Sequence, residues 1–272
     1  MANGKKVALY GCLGCGGFIL LLILILAGGV GYISYQGYQF GKGVGLAYEK
    51  LSVGYGETDQ LFLFTAPEDG LMVSERVNVM LQMRSKLAEL ARERVESITQ
   101  TGDEIGEQME KPGFWSKIQG AKEIAVIVQK AAHLGADIGQ EHIILLKNEK
   151  MSSSEYQWIL KTYLGTLSQA TTNDFPEGAT QWEEYLVKFD DAKNCTGDIN
   201  FDYGDKRIDS KEIDRDNLLK MLQGVPYQTN NLEIVKQTIS QLMVDKDIGI
   251  LDYFSIQLDQ IFKKQPHQDH TQ

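Results

Sequence analysis

The chain has 272 residues, and 37 acidic against 27 basic side chains give it a formal net charge of −10 at pH 7. This acidic balance, without any basic stripe, argues against nucleic acid as a partner. Only one cysteine, Cys195, follows residue 35, so the body of the chain has no internal disulfide pair and must be stabilised by packing.

An apolar run from Leu13 to Tyr35 is the first structural signal, and no Asp, Glu, Lys or Arg lies between Lys6 and Lys42. A membrane-spanning helix needs roughly 20 apolar residues, whereas the apolar part of a secretory signal has about 7–15. The run is therefore predicted to be a permanent transmembrane anchor. Cleavage after the small residues 29–31 is the alternative, and it would release the chain from the membrane.

The charges that flank the anchor predict its orientation. Lys5, Lys6 and the α-amino group precede the run, and Lys42 and Lys50 follow it with Glu49 between them. Because the more basic flank stays in the cytoplasm, residues 1–12 are predicted to be cytoplasmic. The C-terminal domain is then extracytoplasmic, either periplasmic or extracellular, and the lipid bilayer is the first expected partner.

Small residues recur at four-residue spacing in and after the anchor. Ala27 and Gly31 form one such pair, and Gly37, Gly41 and Gly45 continue the spacing into residues 36–60, predicted to be a juxtamembrane linker. Small residues at this spacing let membrane helices approach closely, which would allow self-association through the anchor. The favoured interpretation is that the spacing has no role in association, because glycine is common in membrane helices.

Residues 61–264 are predicted to form an all-α domain with at most a short strand at 61–64, a sub-boundary near 169–178, and a polar tail at 265–272. Ser74 is the expected N-cap of a helix over 75–98. The further helices are expected at 115–148, from Ser152, from Pro176, at 211–223, from Asn230, and at 248–262.

The clearest helix start is at Ser152. Ser152 and Glu155 have the spacing of a capping box, and Met151 with Tyr156 has the spacing of the hydrophobic staple that accompanies it. Asn230 and Glu233 repeat the capping-box spacing. The side of the Ser152 helix expected to be buried comprises Tyr156, Ile159, Leu160, Tyr163, Leu164 and Leu167.

Two segments resemble metal sites in part. His133, Asp137 and Glu141 share a helix face, but spacing of four residues more often reflects pairing of charges on a solvated face. Asp198, Asn200 and Asp202 alternate like oxygen ligands for calcium, and Asp209 follows as a fourth candidate ligand. No register of this segment satisfies the EF-hand loop. A solvated turn with a helix cap at Asp209 or Ser210 is the favoured interpretation, and calcium binding is the alternative.

No nucleophile elbow, phosphate-binding glycine loop or zinc motif occurs in the chain, so neither an enzyme nor a cofactor is expected. The sequence favours a membrane-anchored, non-enzymatic interaction or assembly module of the cell envelope. Its partner would be another envelope protein, or a second copy through the anchor. The alternative is a membrane-tethered hydrolase or ligand-binding protein that uses carboxylates, with calcium as a candidate ion.

Overall fold

The computed structural model describes residues 36–109, 136–170, 174–196, 200–203, 206–209, 215–246, 249, 251–253 and 255–256. Most of these residues are helical, which confirms the all-α class for the described part of the chain. The helices are α1 (Gln36–Leu61), α2 (Ser74–Met109), α3 (described over 136–148), α4 (Ser153–Gln169), α5 (Pro176–Thr196), α6 (Arg215–Leu222), α7 (Thr229–Val244) and α8 (described at 249, 251–253 and 255–256). A hairpin of β1 (Asn200–Tyr203) and β2 (Lys206–Asp209) separates α5 from α6.

Helices α1 and α3 pack side by side and run in the same direction. Leu51 of α1 lies against Gly139, and Ile143 lies against Gly54 about one turn further along. A Cβ on these two glycines would come within 2.8 Å and 2.6 Å of the facing side chains. The missing side chains let the two backbones approach closely. Because Leu51 is part of the core, the packed body begins ahead of the predicted boundary at residue 61.

Helix α2 runs antiparallel to α3. Near its start, Arg76 Nη1 donates to the carbonyl of Glu149 at 3.2 Å, and further along Arg94 lies 3.8 Å from Asp137. The prediction of Ser74 as the N-cap is wrong by one residue. The amide of Val77 donates to the carbonyl of Val73, which places Ser74 inside the helix. The helix also continues to Met109, past the predicted end at residue 98.

Helix α4 is at the centre of the body and contacts α1, α2, α5, α6 and α7. Its start is the predicted one, because Ser152 Oγ accepts a hydrogen bond from the amide of Glu155 at 2.9 Å. Met151 and Tyr156, the predicted staple, are both buried in the core. All six residues of the predicted buried side are buried, and residues 162–167 form an unbroken buried run. A helix buried on all sides belongs in the middle of a bundle.

The sequence allowed at most a short strand, at 61–64, and the structure has none there. Leu61 ends α1, and residues 63–67 have no regular structure. Strands occur instead at 200–203 and 206–209, where Asn200 pairs with Asp209 in the hairpin register. Asp209 therefore belongs to β2 and not to the predicted solvated turn, and Ser210 lies outside the described residues. Helix α5 extends to Thr196.

The start of α5 at Pro176 is as predicted, whereas the start of α7 is not. Helix α7 begins at Thr229, with Gln228 in the capping position and without a side-chain cap. Asn230 is thus already helical, and Glu233 instead lies 2.8 Å from Lys236. The predicted helix over 115–148 is confirmed for 136–148, and its earlier part lies outside the described residues.

Candidate functional site

A buried ion pair lies where α2, α7 and α8 meet. Arg84 and Asp252 are each about 1% exposed, and Arg84 Nε donates to the carboxylate of Asp252 at 2.9 Å and 3.0 Å. The other guanidinium nitrogens donate to the carbonyls of Leu242 at 2.9 Å and Asp245 at 2.8 Å, at the end of α7. Tyr185 of α5 donates to Asp252 at 3.1 Å. The pair therefore connects four helices.

The surroundings of this pair favour its charged form. Burial opposes the charge of Arg84, but the charge of Asp252 and the hydrogen bonds between them raise the guanidinium pKa above its usual value. Arg92, two turns along α2, binds the side chain of Asp245. Cations near the C-terminus of a helix stabilise its unpaired carbonyls. We interpret the cluster as a structural centre, because its groups are bonded to one another and Arg84, Asp245 and Asp252 are buried.

A second buried polar cluster joins α1, α3 and α4. Tyr55 Oη and His142 Nδ1 are 3.1 Å apart, and the rings of His142 and Tyr156 meet edge to face at 4.5 Å. His142 Nε2 has no hydrogen-bond partner in the described part of the chain. Burial lowers the pKa of His142 to about 4, so the imidazole is neutral at pH 7. Burial also raises the pKa of the Tyr55 phenol, which stays protonated.

A shallow depression on the outside of α5 has a volume of about 560 Å³ and is lined by Thr180, Glu183, Glu184, Val187, Lys188 and Lys246. Its charged groups are engaged with neighbours. Lys246 Nζ lies 2.9 Å from Glu184, and Glu183 pairs with Arg215 at 2.9 Å. The depression is therefore bordered by structural ion pairs between α5 and its neighbours.

Among the described residues, three of the four most exposed large apolar side chains lie in and beside the loop between α1 and α2, and the other is Val244 at the end of α7. Leu63 is 90% exposed, Leu61 64% and Val73 59%. Tyr227, in the connection between α6 and α7 that supports the loop, is 39% exposed. We refer to Leu61, Leu63, Val73 and Tyr227 as the loop surface.

The loop of 62–73 is held in place at both ends of its course. The ring of Phe64 packs on Trp158 of α4 with centroids 5.6 Å apart. At the far turn, where Gly70 has a φ of +67°, Asp69 Oδ1 accepts from the amide of Leu71 at 3.0 Å. Asn231 of α7 then brackets this turn. Its side chain accepts from the amide of Met72 at 2.8 Å and donates to the carbonyl of Gly70 at 2.9 Å. The apolar side chains are thus displayed by an ordered loop.

The predicted metal ligands fall mostly on the hairpin. Asn200 and Asp202 lie in β1, and Asp209 lies in β2. Asp202 is opposite Arg207 in the hairpin register, and Asp198 lies outside the described residues. Among the residues that the structure describes, no group of three or more His, Cys, Asp or Glu is placed to hold a metal ion. Calcium binding at 198–209 stays a prediction.

The structure describes only some of the small residues predicted to pack in and after the anchor. Gly37, Gly41 and Gly45 lie within α1, while Ala27 and Gly31, with the apolar run 13–35, lie outside the described residues. None of the described helices combines the length and the apolar character needed to cross a membrane. Self-association through these small residues stays a prediction, as does the anchor itself.

Sequence reasoning missed the residues of both buried clusters. One signal was present, because Arg84 interrupts an apolar stripe of α2 between Met80 and Leu87, and a charge in such a stripe needs a buried partner. The partner, Asp252, is 168 residues away. His142 had a weaker signal, because its imidazole directly precedes the apolar run from Ile143 to Leu146.

Comparison with known proteins yields no relative: no family model matches the chain, and neither does any curated protein or solved structure.

Proposed function

We propose that this protein is a membrane-tethered, non-enzymatic interaction or assembly module of the cell envelope, and that it contacts its partner through the loop surface. The observation that carries the proposal is the 90% exposure of Leu63 in a loop fixed by hydrogen bonds on both sides of its turn. Exposed apolar groups that cluster on a surface are typical of protein contact sites. A loop that is already ordered loses little conformational entropy on binding.

The path of α1 supports the tether. The helix is described from Gln36, the residue that follows the predicted anchor in the sequence, and it enters the core at Leu51. The anchor would therefore be joined to the body through a helix. Confinement to a membrane raises the effective concentration of the loop surface toward other proteins of the same membrane, which lets a weak contact suffice.

Site-specific photo-crosslinking in native membranes tests this proposal. A photoreactive phenylalanine analogue replaces Leu63 in the full chain, and the matched control carries it at Val187, which is 52% exposed on α5. We expect one defined protein adduct from position 63 that is not formed from position 187. The same adducts from both positions, or none from position 63, would contradict the proposal.

A further inference from the structure

The charges around the loop surface indicate what kind of partner it fits, and this inference rests on the proposed function. From Leu61 to Glu75 the chain carries three carboxylates, those of Glu68, Asp69 and Glu75, and neither Lys nor Arg. All three acidic residues are exposed. The supporting connection, 223–231, has no charged residue. The exposed apolar side chains therefore lie among groups of one sign.

Neighbouring residues do not reverse this sign. Asp174 hydrogen-bonds Tyr227, and burial together with the charge of Asp174 raises the pKa of the Tyr227 phenol. The nearby cation Lys236 opposes this rise, but it is itself paired with Glu233 at 2.8 Å. Arg76, the first cation after the loop, is already paired with Glu155 at 2.7 Å. The carbonyl of Lys150 also accepts from Arg76, so one exposed lysine lies near the four carboxylates of Glu68, Asp69, Glu75 and Asp174. A negative rim thus borders the apolar centre.

We infer that the loop surface binds a protein segment in which apolar side chains are flanked by Lys or Arg. The apolar side chains of the partner would cover Leu61, Leu63 and Val73, and its cations would meet Glu68 and Glu75. Charge complementarity of this kind increases the association rate and rejects partners of the wrong sign. It also disfavours an anionic lipid surface, which the carboxylates repel.

The position of the loop agrees with a protein partner. Helix α1 has 26 residues, so it extends about 39 Å from Gln36 to Leu61. A tethered chain would hold Leu61 up to that distance from the end of its anchor. The surface is then presented to proteins that project from the membrane, away from the headgroups.

Charge reversal tests the inference in the full chain, with the Leu63 crosslinker as the readout. The test variant carries Glu68→Lys and Glu75→Lys. The control carries Glu89→Lys and Glu93→Lys, which make the same change in net charge at exposed positions further along α2. We expect the test pair to reduce the adduct yield by about tenfold and the control to leave it unchanged. Raising the salt concentration should likewise lower the adduct yield of the chain that retains Glu68 and Glu75.

The outcomes separate the two claims. An adduct at Leu63 that is insensitive to Glu68→Lys/Glu75→Lys and to salt would overturn the basic partner and leave the proposed function standing. An adducted peptide without Lys or Arg beside its apolar residues would do the same. A crosslink from position 63 to lipid in place of a protein would show a lipid contact and overturn the inference. The absence of any adduct at Leu63 would remove both claims.

Discussion

Replacing Arg84 by Met should destabilise the fold severely. The substitution removes the donors to Asp252, Leu242 and Asp245, and it leaves the carboxylate of Asp252 without its cation at about 1% exposure. The four hydrogen bonds that Arg84 donates, at about 1.5–3 kcal/mol each, would sum to about 6–12 kcal/mol, but such contributions are not additive. Breaking one side of a buried ion pair costs about 3–5 kcal/mol. That is a large fraction of the total stability of a typical domain, about 5–15 kcal/mol.

The assay is urea unfolding of the full chain in mild detergent, followed by tryptophan fluorescence. With a slope of about 3 kcal/mol per molar urea, the midpoint should fall by about 1–1.7 M. The double variant Arg84→Met/Asp252→Leu removes both charges and should recover more than half of the loss, because no charge is then left buried alone. A loss below about 1 kcal/mol for Arg84→Met, or a double variant no better than the single one, would refute this account of the buried centre.

Three further predictions concern pH, packing and metal. Because burial lowers the pKa of His142 to about 4, the folded state binds fewer protons than the unfolded state between about pH 6.5 and 4. The free energy of unfolding should fall by about 3 kcal/mol as the pH is lowered through that window. His142→Phe should remove this dependence of stability on pH. An unchanged dependence in His142→Phe would disprove its assignment to His142. Gly165→Ala should lower the stability by about 1–3 kcal/mol, because the new Cβ would lie 2.8 Å from Val225. The new Cβ of Gly56→Ala would meet nothing within 4 Å, so this substitution should raise the stability by up to about 1 kcal/mol. A Gly56→Ala variant less stable than Gly165→Ala in urea unfolding would contradict the packing. Calcium at millimolar concentration should not change the melting temperature, and a rise that EDTA reverses would instead establish an ion site at 198–209.

The sequence predicted best where local signals and burial agree. The capping box at Ser152, the staple at Met151 and the apolar face of α4 are all within one short segment, and each depends on residues a few positions apart. The start of α5 at Pro176 is equally local, because proline is favoured in the first turn of a helix.

The errors arose where a weak local signal competed with tertiary contacts. Asn230 has a side chain suited to capping, but α7 begins one residue earlier, at Thr229. The next residue, Asn231, makes the tertiary contacts, because its side chain bonds the backbone of Gly70 and Met72. The hairpin was missed although Gly204 and Asp205, a common two-residue turn pair, separate its strands in the sequence. The acidic residues around that pair were interpreted as ligands of a calcium loop.

The candidate surface and the buried centre could not be predicted, for one shared physical reason. The exposure of Leu63 depends on Phe64 packing on Trp158, and the pairing of Arg84 with Asp252 depends on two helices far apart in the chain. One sequence shows which residues are apolar or charged, but not which distant residues cover them.

The intact mass of the protein extracted from carbonate-washed native membranes tests the tether, the central claim of the proposed function, most directly. We predict that the protein stays in the washed membrane fraction and that its mass includes residues 1–35. A mature chain that begins near Tyr32 and is found in the soluble fraction would contradict the account.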